Sequence, residues 1–441
     1  MTTEPSDKPS SEDHVLRGED YARIGDRPLT FLVITSTFPP RGGSSVQRVA
    51  KFCKYAKRMG AEPIVVTAKF DGGLLDETLL DDLPEDLEVH RVADSVLSKN
   101  KTLTKITRKL SKAFFLDENA EWRTAAIVEG IKITRSRQID AIFVSYGSIS
   151  ALLAGAKISY IAKKPLFIDI RDLKNKNRFN RKRITSPRPF SSFRIDGIEK
   201  RIFNSANAFS VVSKGYHSIL KNYYNINGKQ ISLIYNGYDT EDFFTLRDNV
   251  ETSSDEKVIR YIGFITHPDS LHKLIEATAI INQRRRDEGL KDVHLEIVGS
   301  NNPSEYQRII DRCSGKNWCS FLDYVDHSKA IKLMKSASAL VLLQHAEAGV
   351  LTGKLFEYIG SGSPILLLNN NNIELSKVVN EYDLGEVASY QNVAGISKAI
   401  DKLMAHSSPY RSAADVQMFR RDYQATQFLN ALYQMCKLQK S

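Results

Sequence analysis

The chain has 441 residues, 42% of them hydrophobic and 26% charged, a balance that suits two or three globular domains and excludes a disordered or fibrous chain. Its net charge of +10 and pI near 9.2 favour an anionic partner, whether nucleotide, membrane surface or nucleic acid, without choosing among them. No run reaches the roughly 18 apolar residues of a membrane span, and Cys53, Cys313, Cys319 and Cys436 lack CxxC spacing, which points to neither a disulfide framework nor a zinc site and suits a reducing cytoplasm.

Residues 1–27 are polar and charged without an apolar core, so they read as a disordered tail rather than a signal peptide or anchor. Apolar runs at 30–36, 63–67, 140–145, 165–170, 208–212 and 231–235 then predict buried parallel strands, with helical patterns such as 45–59 and 148–162 between them. This is one doubly wound domain. After its first strand, Gly42 and Gly43 precede a helix whose buried side carries Val46, Val49, Ala50, Cys53 and Ala56. Backbone there can approach a ligand at a helix N-terminus, or simply make a tight strand-to-helix turn. The stretch matches neither GxGxxG nor the Walker pattern, so a dinucleotide or ATP site is unsupported.

Two basic segments lie within this first half. In 98–115, Leu103, Ile106, Leu110, Ala113 and Phe114 recur opposite Lys101, Lys105, Arg108, Lys109 and Lys112, the pattern of an interfacial amphipathic helix or of an ordinary surface helix. The second, 171–189, has no period and reads as a solvated basic loop.

A polar stretch at 248–257 separates a second series: strands at 258–264, 293–299, 319–325, 339–343 and 364–368, and helices at 271–286, 304–312, 327–336 and 352–359. A long amphipathic helix over 416–435 is placed to pack back across the junction. The expected division is a tail at 1–27, an N-terminal domain at 28–247, a C-terminal domain at 248–412 and a crossing helix at 413–441.

The segment ALVLLQHAEAGVLTGKLFEYIGSGSPILLL, 339–368, carries the chemistry. Thr352 is an N-cap, and the Gly360/Gly362 pair stops the helix. At about 100° per residue, Leu355, Phe356 and Ile359 share one face, while Lys354, Glu357, Tyr358 and Ser361 share the other. The polar face and the N–H groups of Gly353 and Lys354 point at the carboxyl ends of parallel strands, where open α/β sheets bind ligands. Amides and a lysine favour a diphosphate, and a carboxylate one turn on can accept two ribose hydroxyls. The same two residues could also form an exposed i, i+3 ion pair.

Together, TFPPRGGSSVQRVAKFCKYAKRMG, DETLLDDLPEDLEVHRV, PLFIDIRD, SLIYNGYDTEDF, LEIVGS and TGKLFEYIGSGSPIL occur in the order seen in the retaining nucleotide-sugar glycosyltransferases of family four. The chain resembles that family over roughly residues 29–438. The resemblance implies the GT-B fold, an α/β architecture of two doubly wound Rossmann-like domains facing across a cleft. It implies donor binding by Lys354 at the diphosphate and Glu357 at the ribose, with Thr352, Gly353, Gly263, Gly42 and Gly43 around them. It also implies no metal and no cofactor besides the nucleotide sugar as co-substrate.

Three positions depart from the family pattern. The family spaces two glutamates by seven residues, which counts back from Glu357 to Gly349, whereas Glu347 stands two residues earlier. The phosphate-binding basic pair falls near Phe264 and Asp269, with His267, His272 and Lys273 close by. Where many members carry a histidine beside the sugar, this chain has Arg171 before Asp172; an arginine cannot act as a base but can stabilise developing negative charge or orient an acceptor phosphate. Glu347, Arg171 and Asp172 are thus the catalytic candidates.

The implied reaction is sugar transfer, with retention, from a nucleoside diphosphate to a hydroxyl of a growing glycan or lipid-linked acceptor, a hexosyltransferase step of polysaccharide biosynthesis. The location is cytoplasmic, and peripheral at the inner membrane face if 98–115 is interfacial; no nucleic acid is involved. Two other functions fit the same fold: a nucleotide-sugar epimerase, and a non-catalytic anion-binding protein whose loop cations are lost.

Overall fold

The computed structural model describes residues 17–69, 75–93, 120–173, 190–244, 256–263, 268–299, 303–323, 325–344, 351–370, 372–405 and 414–439. The basic segment 98–115, residues 174–189 of the basic loop, Phe264, His267 and Glu347 lie outside the described residues.

After a two-stranded ribbon, β1 (Arg23–Ile24) and β2 (Arg27–Pro28), the chain builds two parallel sheets. The first contains β3 (Thr30–Ile34), β4 (Glu62–Ala68), β5 (Glu88–Val92), β6 (Ala141–Tyr146), β7 (Leu166–Ile170), β8 (Ala208–Val211) and β9 (Gln230–Leu233), in the order β5-β4-β3-β6-β7-β8-β9. Most of these strands are continuous apolar runs because helices cover both faces. Phe31, Val33, Val65, Phe143 and Phe167 face one core, and Leu32, Ile34, Ile64, Val144 and Ile168 face the other.

The second sheet contains β10 (Lys257–Ile262), β11 (Val293–Val298), β12 (Cys319–Leu322), β13 (Ala339–Gln344), β14 (Ile365–Asn369) and β15 (Gly385–Ala388), ordered β12-β11-β10-β13-β14-β15. Both sheets are parallel throughout, so the architecture is α/β and doubly wound, as the alternation of strands and helices predicts.

The C-terminal segment joins the two halves. Val416 and Phe419 of the Ala414–Phe419 turn sit in the second domain's core beside Phe356 and Ile359. Past Arg420 the chain enters the Arg421–Leu438 helix, whose Ala425, Phe428, Leu429, Leu432 and Met435 complete the core under the first sheet. Phe428 reaches 4.6 Å from Phe52 between ring centres.

Two expectations need correction. The described part of the expected disordered tail, residues 17–27, is folded: Ala22 is fully buried, Tyr21 meets the Tyr433 ring edge-on at 5.8 Å, and Arg27 pairs with Asp140. Its few apolar side chains suffice because the crossing helix supplies the opposing surface. The cysteines also depart from expectation, since Cys313 and Cys319 form a disulfide across the turn from the Pro303–Cys313 helix into β12. Their spacing of six residues signals no motif, but the turn brings their Cα atoms to 5.7 Å. Among the described residues, no helix is long and apolar enough to cross a membrane.

Candidate functional site

The helix after β13 runs over Gly353–Ser361, and Thr352 caps it by accepting from the Lys354 amide at 3.4 Å. Gly362 ends it in the left-handed region. Leu355, Phe356 and Ile359 are buried against the sheet as their spacing predicts. Tyr358 is not on the polar face. It is 1% exposed, and its hydroxyl donates to the Ile262 carbonyl and accepts from the Ile262 amide, each at 3.3 Å, so β10 satisfies the phenol and pins the helix.

Lys354 and Glu357 stand on the open side, with Nζ 2.7 Å from Oε2. The lysine side chain is 37% exposed and the glutamate 18%. Gly263 follows β10 at φ 151°, and a Cβ there would lie 3.9 Å from Lys354 Cε, so this loop backbone runs beside the lysine. Lys273, expected near the same loop, bonds Glu276 on its own helix at 3.0 Å. Around Glu357 a cavity of about 10 Å³, room for about one water, is lined by Gln47, Lys51, His327 and Arg421 as well. The Ser44–Arg58 helix, which Gly43 opens at φ 114°, and the Gly353–Ser361 helix therefore line one cavity.

Lys51, Asp239 and Asp242 on the wall of that cavity belong to a charged layer that sequence reasoning missed. Asp239 accepts from Tyr55 Oη at 2.6 Å and from Lys51 Nζ at 2.6 Å, while Lys54 Nζ lies at 3.1 Å. Lys51 also reaches Asp82 at 2.6 Å and Asp242 at 2.9 Å. Burial opposes ionisation of Asp239, but the two ammoniums outweigh it and hold its carboxyl below the usual carboxylate range. Asp82, Asp239 and Asp242 lie close enough to share a cation, and Lys51 contacts all three.

Deeper still, Arg48 donates to Asp169 on β7 at 2.8 and 3.0 Å and to the Ile234 and Tyr235 carbonyls at 2.9 and 2.7 Å. Its guanidinium also stands 4.9 Å from the Phe428 ring centre. The helix that buries Val46, Val49, Ala50, Cys53 and Ala56 thus buries Arg48, Lys51 and Lys54 too. The signal was available only as the QRVAKFCKYAK spacing, which places Arg48, Lys51 and Lys54 on one flank without naming their carboxylates.

Arg171 and Asp172 lie just beyond the carboxyl end of β7, on the first sheet's side. A Cβ at Gly147 would come 2.5 Å from Arg171 Nη2, so the guanidinium lies against that glycine. Burial pushes Arg171 down to about 10 against the opposing pull of Asp169. Across the junction, Glu374 of the Ile373–Glu381 helix accepts from the Lys214 and Gly215 amides at 2.6 and 3.0 Å, capping the first turn of the Lys214–Asn222 helix in the other half.

Two family models match consecutive parts of the chain: Glycosyltransferase Family 4 over residues 42–242, and Glycosyl transferases group 1 over residues 242–416. The chain is a GT-B glycosyltransferase of the family 4 type. Its fold is similar to that of a glycosyltransferase from Rickettsia africae, 15% identical, covering 93% of this chain and 100% of that one with a TM-score of 0.64. Anabaena HepE in complex with UDP and glucose is 16% identical, covering 92% and 99% with a TM-score of 0.59. An Escherichia coli trehalose-6-phosphate protein bound with UDP-2-fluoro glucose is 10% identical, covering 92% and 99% with a TM-score of 0.60. At these identities the likeness establishes the fold of the glycosyltransferase alone. No curated protein sequence matches it.

Proposed function

We propose that this glycosyltransferase moves a sugar, with retention, from a nucleoside diphosphate to a hydroxyl of a glycan or lipid-linked acceptor. The observation that carries the reading is the Lys354–Glu357 pair on a capped helix behind β13, facing the Ser44–Arg58 helix across the junction. The N–H groups of Gly353 and Lys354 and the lysine ammonium are suited to the leaving diphosphate, whose charge grows as the glycosidic bond breaks. Glu357 accepts the two ribose hydroxyls. Arg171 and Asp172 act on the acceptor side, where the guanidinium orients a phosphate or developing charge. Glu347, which precedes the helix in sequence, acts on the transferred sugar.

On this reading the diphosphate is neutralised by amides and the ammonium, and no metal is required. UDP in the structure of HepE supports a nucleoside diphosphate as the ligand class for this fold. The basic segment 98–115 brings the enzyme to the anionic inner face of the cytoplasmic membrane, where a lipid-linked acceptor of polysaccharide synthesis would stand.

The test is product analysis: incubate the protein with UDP-, GDP-, ADP- and dTDP-sugars and hydroxyl acceptors, and read the new linkage by NMR. A new glycoside with the donor's anomeric configuration supports the reading. An inverted glycoside, or an epimerised nucleotide sugar without transfer, contradicts it.

A further inference from the structure

The first turn of the crossing helix holds a buried cation whose charge the fold leaves uncommitted. Arg421, only 8% exposed, opens the Arg421–Leu438 helix, and its backbone N–H donates to the Tyr238 carbonyl at 2.9 Å. Its guanidinium makes no hydrogen bond or ion pair among the described residues. The neighbouring cations are all committed: Arg48 to Asp169, Lys51 to Asp82, Asp239 and Asp242, and Lys54 to Asp82, Asp239 and Glu241. A buried charge without a partner is costly, so a fold that keeps one needs a reason for it.

The cavity supplies the reason. Arg421 and Glu357 line the same space, and the carboxylates whose fields act on the guanidinium are Asp239, Asp242 and Glu357. Asp239 and Asp242 already hold Lys51. Among the described residues Glu357 holds only Lys354, the residue assigned above to the diphosphate. One ammonium is thus asked to serve two anions. When a nucleoside diphosphate draws Lys354 toward its phosphates, the glutamate must keep a fixed position for the ribose while losing its hydrogen-bonded countercharge.

We propose that Arg421 is a positioning residue of the donor site: its guanidinium takes over the charge of Glu357, directly or through a cavity water, when the diphosphate engages Lys354. The two side chains already line one cavity. The exchange rests on the donor-site assignment of Lys354 and Glu357. It also gives the crossing helix a part in donor binding, since that helix packs in the first domain's core while its first residue faces a second-domain glutamate.

The experiment is a double-mutant cycle on nucleotide affinity, read by calorimetry with UDP, or with whichever of GDP, ADP and dTDP the wild-type protein binds. Arg421→Gln should weaken the nucleotide about tenfold, raise the donor KM in proportion and leave kcat nearly unchanged. Arg421→Lys should recover most of the loss. Adding Arg421→Gln to Glu357→Gln should cost nothing further, because the group it serves is gone. Equal fold-losses in both backgrounds, or wild-type affinity in Arg421→Gln, would overturn the proposal while leaving the donor site intact. Wild-type affinity in Glu357→Gln would instead remove the ribose assignment beneath it. Should Arg421→Gln not fold, Arg421→Lys keeps the cation and carries the same cycle: a partial loss that vanishes in the Glu357→Gln background supports the proposal, and an additive loss overturns it.

Discussion

Asp239 accepts a 2.6 Å hydrogen bond from the Tyr55 hydroxyl, and this contact fastens the turn that ends β9's connection to the middle of the Ser44–Arg58 helix. The carboxylate is 1% exposed and serves Lys51 and Lys54 as well. Asp239→Asn would leave two buried ammoniums short of a partner, and should destabilise the protein by about 3 kcal/mol or more, measured as a lower midpoint in urea. Because the native state holds this carboxyl below its unfolded value, its contribution is full above about pH 4 and lost as the pH falls further. The gap between wild type and variant should therefore narrow on acidification.

His327 runs the opposite way. Its Nε2 lies 3.6 Å from the Asp242 carboxylate, which raises the imidazole's pKa against the lowering effect of burial, with Glu357 adding to the rise and Lys354 opposing it. A raised histidine contributes stability fully below its unfolded value of about 6.5 and loses it as the pH rises through the folded value. Wild-type stability should drop by up to about 1 kcal/mol on going from mildly acid to mildly alkaline buffer. His327→Gln should flatten that slope, as urea midpoints across the range would reveal.

The donor-binding candidates Lys354 and Glu357 and the catalytic candidate Glu347 should separate kinetically. On the proposed reading Glu357 holds the ribose in ground and transition states alike, so Glu357→Gln should mainly raise the donor KM. Lys354→Met should reduce both nucleotide affinity and turnover, since the diphosphate gains charge as the bond breaks. Glu347→Gln should lower turnover and leave nucleotide affinity nearly unchanged. Wild-type turnover in that variant would show that the enzyme manages without the family's first glutamate.

Legibility followed apolar continuity. TFLVI, AIFVSY and ALVLLQ announce buried strands, whereas β5 is EVHRV and β15 is GEVA, edge strands too short and polar to stand out. The Gly353–Ser361 helix is readable from its cap and stop, yet its spacing puts Tyr358 on the wrong face because the partner of its hydroxyl, Ile262, comes from a strand 96 residues away. The same reason hid the charged layer: Arg48 and Asp169 are 121 residues apart, and Lys51 and Asp242 are 191. Periodicity finds a buried face by its apolar residues, so cations buried by long-range partners read as solvent-exposed.

Membrane attachment has its own test. Each basic residue near an anionic surface contributes about 1 kcal/mol, screened by salt. Changing Lys101, Lys105, Lys109 and Lys112 to Gln should release the protein from phosphatidylserine-containing vesicles in a flotation assay while leaving nucleotide binding intact. Unchanged flotation would make 98–115 an ordinary surface segment.

The central claim is that a nucleoside diphosphate binds at Lys354 and Glu357. A thermal and urea-midpoint panel of UDP, GDP, ADP and dTDP with EDTA present, run on wild type, Lys354→Met and Glu357→Gln, tests it most directly. At a hundred times its dissociation constant, a ligand that binds only the native state adds about 2.7 kcal/mol. The account predicts that at least one nucleotide stabilises the wild type by about that amount without metal, and stabilises both variants much less at the same concentration. Stabilisation of the variants equal to that of the wild type, or no shift with any of the four nucleotides, would contradict it.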